Sequence, residues 1–194
     1  MSNALVKTPA QAALDKLTSA ASKNSLDDLV KARTRRSMLL LDVSGSMNNL
    51  LISGGTKIDS LRSVVTALQE QHPVPVAAFG GELCAIVDAG AIPTPRGGTP
   101  LHKGIDFCRQ QGATHLVLVS DGIADSQSRA FEAAKYFRGP IDVFYIGNGD
   151  DHGAAFAREL AELTGGTVNL TDLGGEPKLL ANKIAGYLGE GSAL

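Results

Sequence analysis

Disulfide chemistry has little to work with here: the chain holds two cysteines, Cys84 and Cys108, with no C-x-x-C spacing and no His cluster nearby. Both read as small buried hydrophobes of a reducing compartment, one in a predicted strand and one in a predicted helix. Long apolar runs are also missing. No segment approaches the ~18 uninterrupted apolar residues of a membrane span, and the first residues carry no signal-peptide core, so the expected location is the cytoplasm. Charge of one sign is not in excess either: the net charge is −2 and the pI about 6.1, which gives no global drive toward nucleic acid or an anionic membrane. Lys31, Arg33, Arg35 and Arg36 make one mild basic patch, which reads first as a solvated helix end with cations near its last carbonyls. Catalytic signatures are thin as well. Ser44-Gly45-Ser46 is not a G-x-S-x-G elbow, Asp42-Val43-Ser44 lacks the second carboxylate of a D-x-D loop, and Gly54-Gly55-Thr56-Lys57 reverses the order of G-K-[ST]. The chain is therefore expected not to be an enzyme.

A length of 194 residues fits one domain with enough apolar content for a core. Residues 1–36 read as a helical extension. Thr8-Pro9 starts one helix, Ser25-Leu26-Asp27-Asp28 starts a second, and Leu14, Leu17, Leu26, Leu29 and Val30 form an apolar stripe too short to own a core. From residue 37 to 194, apolar strands alternate with amphipathic helices. Helices are expected over 58–69, 101–110, 126–137, 153–163 and 177–188; strands over 38–42, 74–79, 83–88, 114–120, 141–146 and 167–170. Gly80-Gly81 leaves no room for a crossover helix, so the second and third strands pair as an antiparallel hairpin at one edge, while the later strands return through helices and lie parallel. The expected fold is a Rossmann-like, doubly wound α/β sheet of order 3-2-1-4-5-6.

Chemistry concentrates in three segments. An apolar run, Met38-Leu39-Leu40-Leu41, delivers Asp42, Ser44 and Ser46 into one tight loop in which Gly45 permits a sharp turn. Gly97-Gly98-Thr99-Pro100 offers a hydroxyl on a glycine-rich loop, and Leu116-Val117-Leu118-Val119-Ser120 ends a second apolar strand at Asp121. In an open sheet of this order the first and fourth strands are neighbours where the winding reverses, so these oxygens can meet at one crevice. Hard oxygen donors of this kind suit Mg²⁺ over a soft metal, with Mn²⁺ or Ca²⁺ as further candidates.

In these residues the chain resembles the von Willebrand factor A (VWA) domain family. Asp42, Ser44, Ser46, Thr99 and Asp121 look like its five-part metal-ion-dependent adhesion site, and the similarity in motif and element order runs from about Ser37 onward. The resemblance implies a protein–protein interaction module in which a partner's Asp or Glu completes the shell of a bound Mg²⁺. Small members resembling this one act as adaptors for AAA-type ATPases or in stress-response systems, and no residue here selects among those partners. The alternative class is a metal-dependent hydrolase or phosphotransferase, for which Asp121 or Asp125 are the nearest bases.

Weaker constellations carry two readings each. Gly149-Asp150-Asp151-His152 offers a second ion site or a specificity rim, while Asp151 reads first as a helix N-cap. Asp125 reads as the cap of the helix at Ser126. His102 borders the crevice or is an ordinary surface histidine; His72 and His115 have no ligand spacing and are given no role. The first strand runs toward Asp42, so the helical extension joins it at the far end. Deleting residues 1–31 is accordingly expected to lower stability or solubility while Mg²⁺ affinity stays within about threefold, well under ~1.4 kcal/mol. Magnesium titration of the truncated protein checks this.

Overall fold

The computed structural model describes residues 35–51, 54–147, 152–171, 173 and 175–188. Of the predicted helical extension, only Arg35 and Arg36 are among them. Six strands form one sheet in the order β3-β2-β1-β4-β5-β6. They are β1 (Ser37–Asp42), β2 (Val76–Gly80), β3 (Leu83–Ile86), β4 (His115–Ser120), β5 (Ile141–Ile146) and β6 (Val168–Thr171). The helices among the described residues are α1 (Lys57–Gln71), α2 (Leu101–Gln110), α3 (Gln127–Phe137), α4 (His152–Thr164) and α5 (Pro177–Leu188). Strand β3 pairs antiparallel with β2, through Phe79 opposite Cys84, and the other pairs are parallel. The expected doubly wound order and the antiparallel edge hairpin are both found.

Every residue of β1, β4 and β5 is buried, as a parallel sheet covered on both faces requires. Alternation along β1 divides the core. Met38 and Leu40 point to one face with Ile105, Cys108, Phe137 and Phe156, under α2, α3 and α4. Leu39 and Leu41 point to the other, with Leu61, Val65, Ile184 and Leu188, under α1 and α5. Cys108 is wholly buried, and desolvation pushes its thiol up to about 12, so it is an inert packing group. Cys84, on the edge strand, is partly buried and its thiol donates to the carbonyl of Lys103. No helix among the described residues is long and apolar enough to cross a membrane.

At the amino ends of the strands lies a buried polar cluster that no spacing pattern marked. Ser37 begins β1 and His115 begins β4, while Asp142 is the second residue of β5. His115 is wholly buried; its Nδ1 lies 2.9 Å from Ser37 Oγ and its Nε2 lies 2.8 Å from Asp142 Oδ2. Ser37 Oγ also donates to the carbonyl of Leu188, at the end of α5, at 2.9 Å. The other oxygen of Asp142 accepts from both the amide and the hydroxyl of Thr167, each at 2.8 Å. Burial alone raises the Asp142 carboxyl, but hydrogen bonds from His115 and Thr167 outweigh it and hold the group below its ordinary value. With a depressed folded-state value, its contribution is present above the ordinary carboxylate value of 3.8 and is lost as pH falls below it. Asp142→Ala is expected to cost about 2–3 kcal/mol at neutral pH by removing the carboxylate that the buried His115 ring meets. Urea denaturation measures the loss, which should become smaller as pH falls below 3.8.

Candidate metal centre

The five predicted oxygen-bearing residues gather at the carboxyl ends of β1 and β4, where the winding of the sheet reverses. Asp42 is the last residue of β1 and is completely buried. Its Oδ1 accepts from the amide of Ser44 at 2.8 Å and its Oδ2 accepts from Ser120 Oγ at 2.6 Å. Ser44 caps a short 3-10 turn over Gly45–Asn48. Its hydroxyl lies 3.1 Å from Ser46 Oγ, and Ser46 in turn donates to Asp121 Oδ1 at 2.7 Å. Because Ser46 has a single proton and directs it to a carboxylate, Ser44 is the donor in the Ser44–Ser46 bond. A continuous chain thus runs from Ser44 through Ser46 to Asp121.

Thr99 joins from the third segment. A Cβ built on Gly122 would lie 3.6 Å from Thr99 Oγ1 and 4.0 Å from Ser46 Oγ, so both hydroxyls border the small space beside the Gly122 backbone. The Thr99 loop is held by backbone contacts. The amide of Gly45 donates to Gly97 O at 2.9 Å, that of Arg96 to Val43 O at 3.0 Å, and that of Gly81 to Gly98 O at 2.9 Å. This clamp requires glycine at residue 97, which has φ of +70° and would set a Cβ 2.7 Å from the Cα of Gly81.

Asp125 has a different task from the one expected. Ser126 caps α3 by accepting from the amide of Arg129, while Asp125 Oδ1 accepts from the amide of Thr99 at 2.8 Å. The amide of Asp125 returns a bond to Thr99 O at 3.0 Å. Asp125 is therefore a positioning group for the Thr99 loop, and not the helix cap. His102 stands in a cleft between α2 and α3 with Asp106, Arg109, Arg129 and Tyr136. His152 is exposed at the start of α4. Asp150 and Asp151, with the capping expected of Asp151, lie outside the described residues.

Two contacts were not foreseen from the sequence. One is Ser120, whose bond to Asp42 follows from the parallel register, since Leu41 opposes Val119 and the next pair is Asp42 beside Ser120. The other is Lys57, the first residue of α1, whose ammonium meets Asp121 Oδ2 at 2.5 Å. The side chain of Asp121 is fully buried beneath it.

The two carboxylates of the site act on one another. Desolvation pushes the Asp42 carboxyl up to about 6, against the lowering effect of the Ser120 and Ser44 hydrogen bonds, and the charge of Asp121 adds to the rise. A donor set of three hydroxyls and two carboxylates suits a hard divalent ion in oxygen coordination. Among the described residues no group of three or more His, Cys, Asp or Glu side chains comes together.

No family model matches the sequence, and no curated protein matches it. Solved structures do match. A von Willebrand factor type A protein from Catenulispora acidiphila superposes with a TM-score of 0.58 at 17% identity, over 81% of this chain and 42% of that one. This chain therefore spans under half of that protein's length, and the likeness is one of fold. A response regulator protein from Burkholderia multivorans covers 78% of this chain and 94% of its own at 16% identity, but its TM-score of 0.40 is too low to carry an argument. Topology and superposition together give this chain a VWA-like α/β fold.

The raised Asp42 value has a sign that can be measured. Because the folded state holds the Asp42 proton up to about pH 6, the contribution of Asp42 to the stability of the metal-free protein falls as pH rises from 3.8 to 6 and then levels off. Asp42→Asn removes the buried charge while keeping an acceptor for Ser44. It is expected to stabilise the metal-free protein by on the order of 1–2 kcal/mol at pH 7.5, with no gain at pH 4. Denaturation in the presence of chelator at the two pH values is the check.

Proposed function

We propose that this domain is a metal-dependent protein-interaction module. In this reading Asp42, Ser44, Ser46, Thr99 and Asp121 hold Mg²⁺, with Mn²⁺ or Ca²⁺ able to substitute, and the site binds an Asp or Glu side chain of another protein. The observation that carries it is the convergence of hydroxyls and carboxylates from three separated segments at the switch point of the sheet. The VWA-like fold supports the same reading.

Each residue has a defined part. Asp42 supplies charge from a rigid strand end, fixed by Ser44 and Ser120. Ser44 and Ser46 present neutral oxygens on a short turn, and Asp121 supplies the second charge. Thr99 stands on a loop clamped to two others, so its hydroxyl keeps its place relative to Ser46. A bound divalent ion with only two carboxylates beside it stays electrophilic toward an incoming anion, which is the chemistry that an acidic partner residue would use. The Ser46 hydroxyl is engaged with Asp121 and the Ser120 hydroxyl with Asp42, while Asp125 Oδ1 accepts from the Thr99 amide, so these groups hold the site's oxygens in place. The partner class, an adaptor role toward an AAA-type ATPase or a stress-response protein, belongs to the same proposal.

Calorimetry with MgCl₂ is the direct test. The wild-type protein is expected to bind one Mg²⁺, and folded Asp42→Ala to bind none; unchanged affinity in that variant would overturn the assignment. Thr99→Ala is expected to weaken capture of an acidic partner in Mg²⁺ buffer at least tenfold more than it weakens Mg²⁺ binding, about 1.4 kcal/mol of selective loss. Equal losses in the two titrations would remove Thr99 from the partner-binding arrangement.

A further inference from the structure

The Gly54-Gly55-Thr56-Lys57 segment matches no phosphate loop, yet it sets a cation against the metal centre. Thr56 caps α1 by accepting from the amide of Asp59, and Lys57 is the first helical residue. Its position is fixed by backbone bonds. The Lys57 amide donates to Asn49 O at 3.0 Å, Leu51 donates to Gly55 O at 3.0 Å, and Leu50 bridges antiparallel to Thr56. The start of α1 is thereby tied to the turn that carries Ser44 and Ser46. From there the Lys57 side chain reaches Asp121, the carboxylate that Ser46 also contacts.

This ion pair differs from the surface pairs of the domain. Asp59 and Arg62, or Asp106 and Arg109, are partly exposed neighbours on one helix, whereas the side chain of Asp121 is buried and that of Lys57 is 19% exposed. A buried carboxylate left without a counter-charge is strongly unfavourable, and two carboxylates stand close enough here for Asp121 to act on Asp42. The ammonium of Lys57 supplies one positive charge to this pair. A divalent ion held by the same residues would supply two, and would draw on the oxygens of Asp121 that Ser46 and Lys57 now engage. Ammonium and divalent ion thus compete for one carboxylate. The four-carbon stem of lysine lets the ammonium leave toward solvent without disturbing the helix, and the residual exposure of the side chain gives it a route.

We propose that Lys57 is a resident cation of the metal centre that must be displaced from Asp121 for a divalent ion to bind, so that it sets the threshold concentration at which the site loads. The proposal rests on the metal-binding reading above and concerns the regulation of that site. It involves exchange of one cation for another. It also gives the partner a part in loading: an incoming carboxylate adds a negative charge that a divalent ion can use and that helps it compete with the lysine.

The test is titration of the full-length protein with MgCl₂ by calorimetry, comparing wild type, Lys57→Met and Lys57→Arg, alongside thermal melts with and without Mg²⁺. Lys57→Met is expected to bind Mg²⁺ at least tenfold more tightly than wild type, and Lys57→Arg to stay within about threefold. Without Mg²⁺, Lys57→Met is expected to melt below wild type, and saturating Mg²⁺ should close that gap. Binding by Lys57→Met with none by wild type supports the proposal. Folded Lys57→Met with Mg²⁺ affinity equal to or weaker than that of wild type overturns it while leaving the metal site standing. Absence of binding in every protein overturns both. Should Lys57→Met fail to fold, Lys57→Gln, which keeps a donor for Asp121, gives the same comparison.

Discussion

Burying an ionisable carboxylate beneath a sheet costs several kcal/mol unless hydrogen bonds or a counter-charge repay the lost hydration, and Asp42 is buried completely at the end of the central strand. Two hydrogen bonds compensate part of that cost, and the remainder appears as a carboxyl pushed up to about 6. The neighbouring groups all respond to this one charge. Ser120 turns its hydroxyl inward, Ser44 offers its amide, and Asp121 is anchored by Ser46 on one side and Lys57 on the other.

The fold was legible because its signals are long-range patterns written in strong contrast. Unbroken apolar runs such as Met38–Leu41 mark strands buried on both faces, and two glycines between β2 and β3 leave no length for a crossover. The residues of the candidate centre stand out in the sequence for a different reason: each lies at or just beyond the end of such a strand or in a glycine-rich loop. Contacts across elements were harder to read. Ser120 required the register of β1 against β4, which neither strand alone specifies. Lys57 required the closure of the 49–57 loop, set by backbone bonds that no side-chain pattern announces. Asp125 was misread because an acidic residue before a helix satisfies local capping rules equally well, and only the tertiary position of the Thr99 amide draws it away.

The two ends of the sheet solve the problem of buried polarity in opposite ways. At the amino ends, His115, Asp142, Ser37 and Thr167 bind one another and tie β1, β4, β5 and the residue before β6 to the end of α5. At the carboxyl ends Ser44, Ser46, Asp121 and Lys57 form one hydrogen-bonded chain, Ser120 and the Ser44 amide hold Asp42, and the hydroxyls of Ser46 and Thr99 border one space beside Gly122. The network at the base joins three strands through the buried His115 ring, while the chain at the mouth joins loops to one another. Sequence periodicity does not distinguish the two ends, since His115 and Ser120 both occupy ordinary strand positions of β4.

The backbone clamp at Gly97 couples parts of the molecule that look unrelated along the chain. Gly45 and Val43, on the exit from β1, hold one side of the 96–98 segment, and Gly81, in the turn of the edge hairpin, holds the other. A glycine-to-glycine approach at 2.7 Å from a would-be Cβ leaves no side chain to cushion relative motion. The hairpin at the margin of the sheet is thus mechanically in series with Thr99. Between the turn of that hairpin and the residue that carries the hydroxyl stand one hydrogen bond, from Gly81 to Gly98, and a single peptide link.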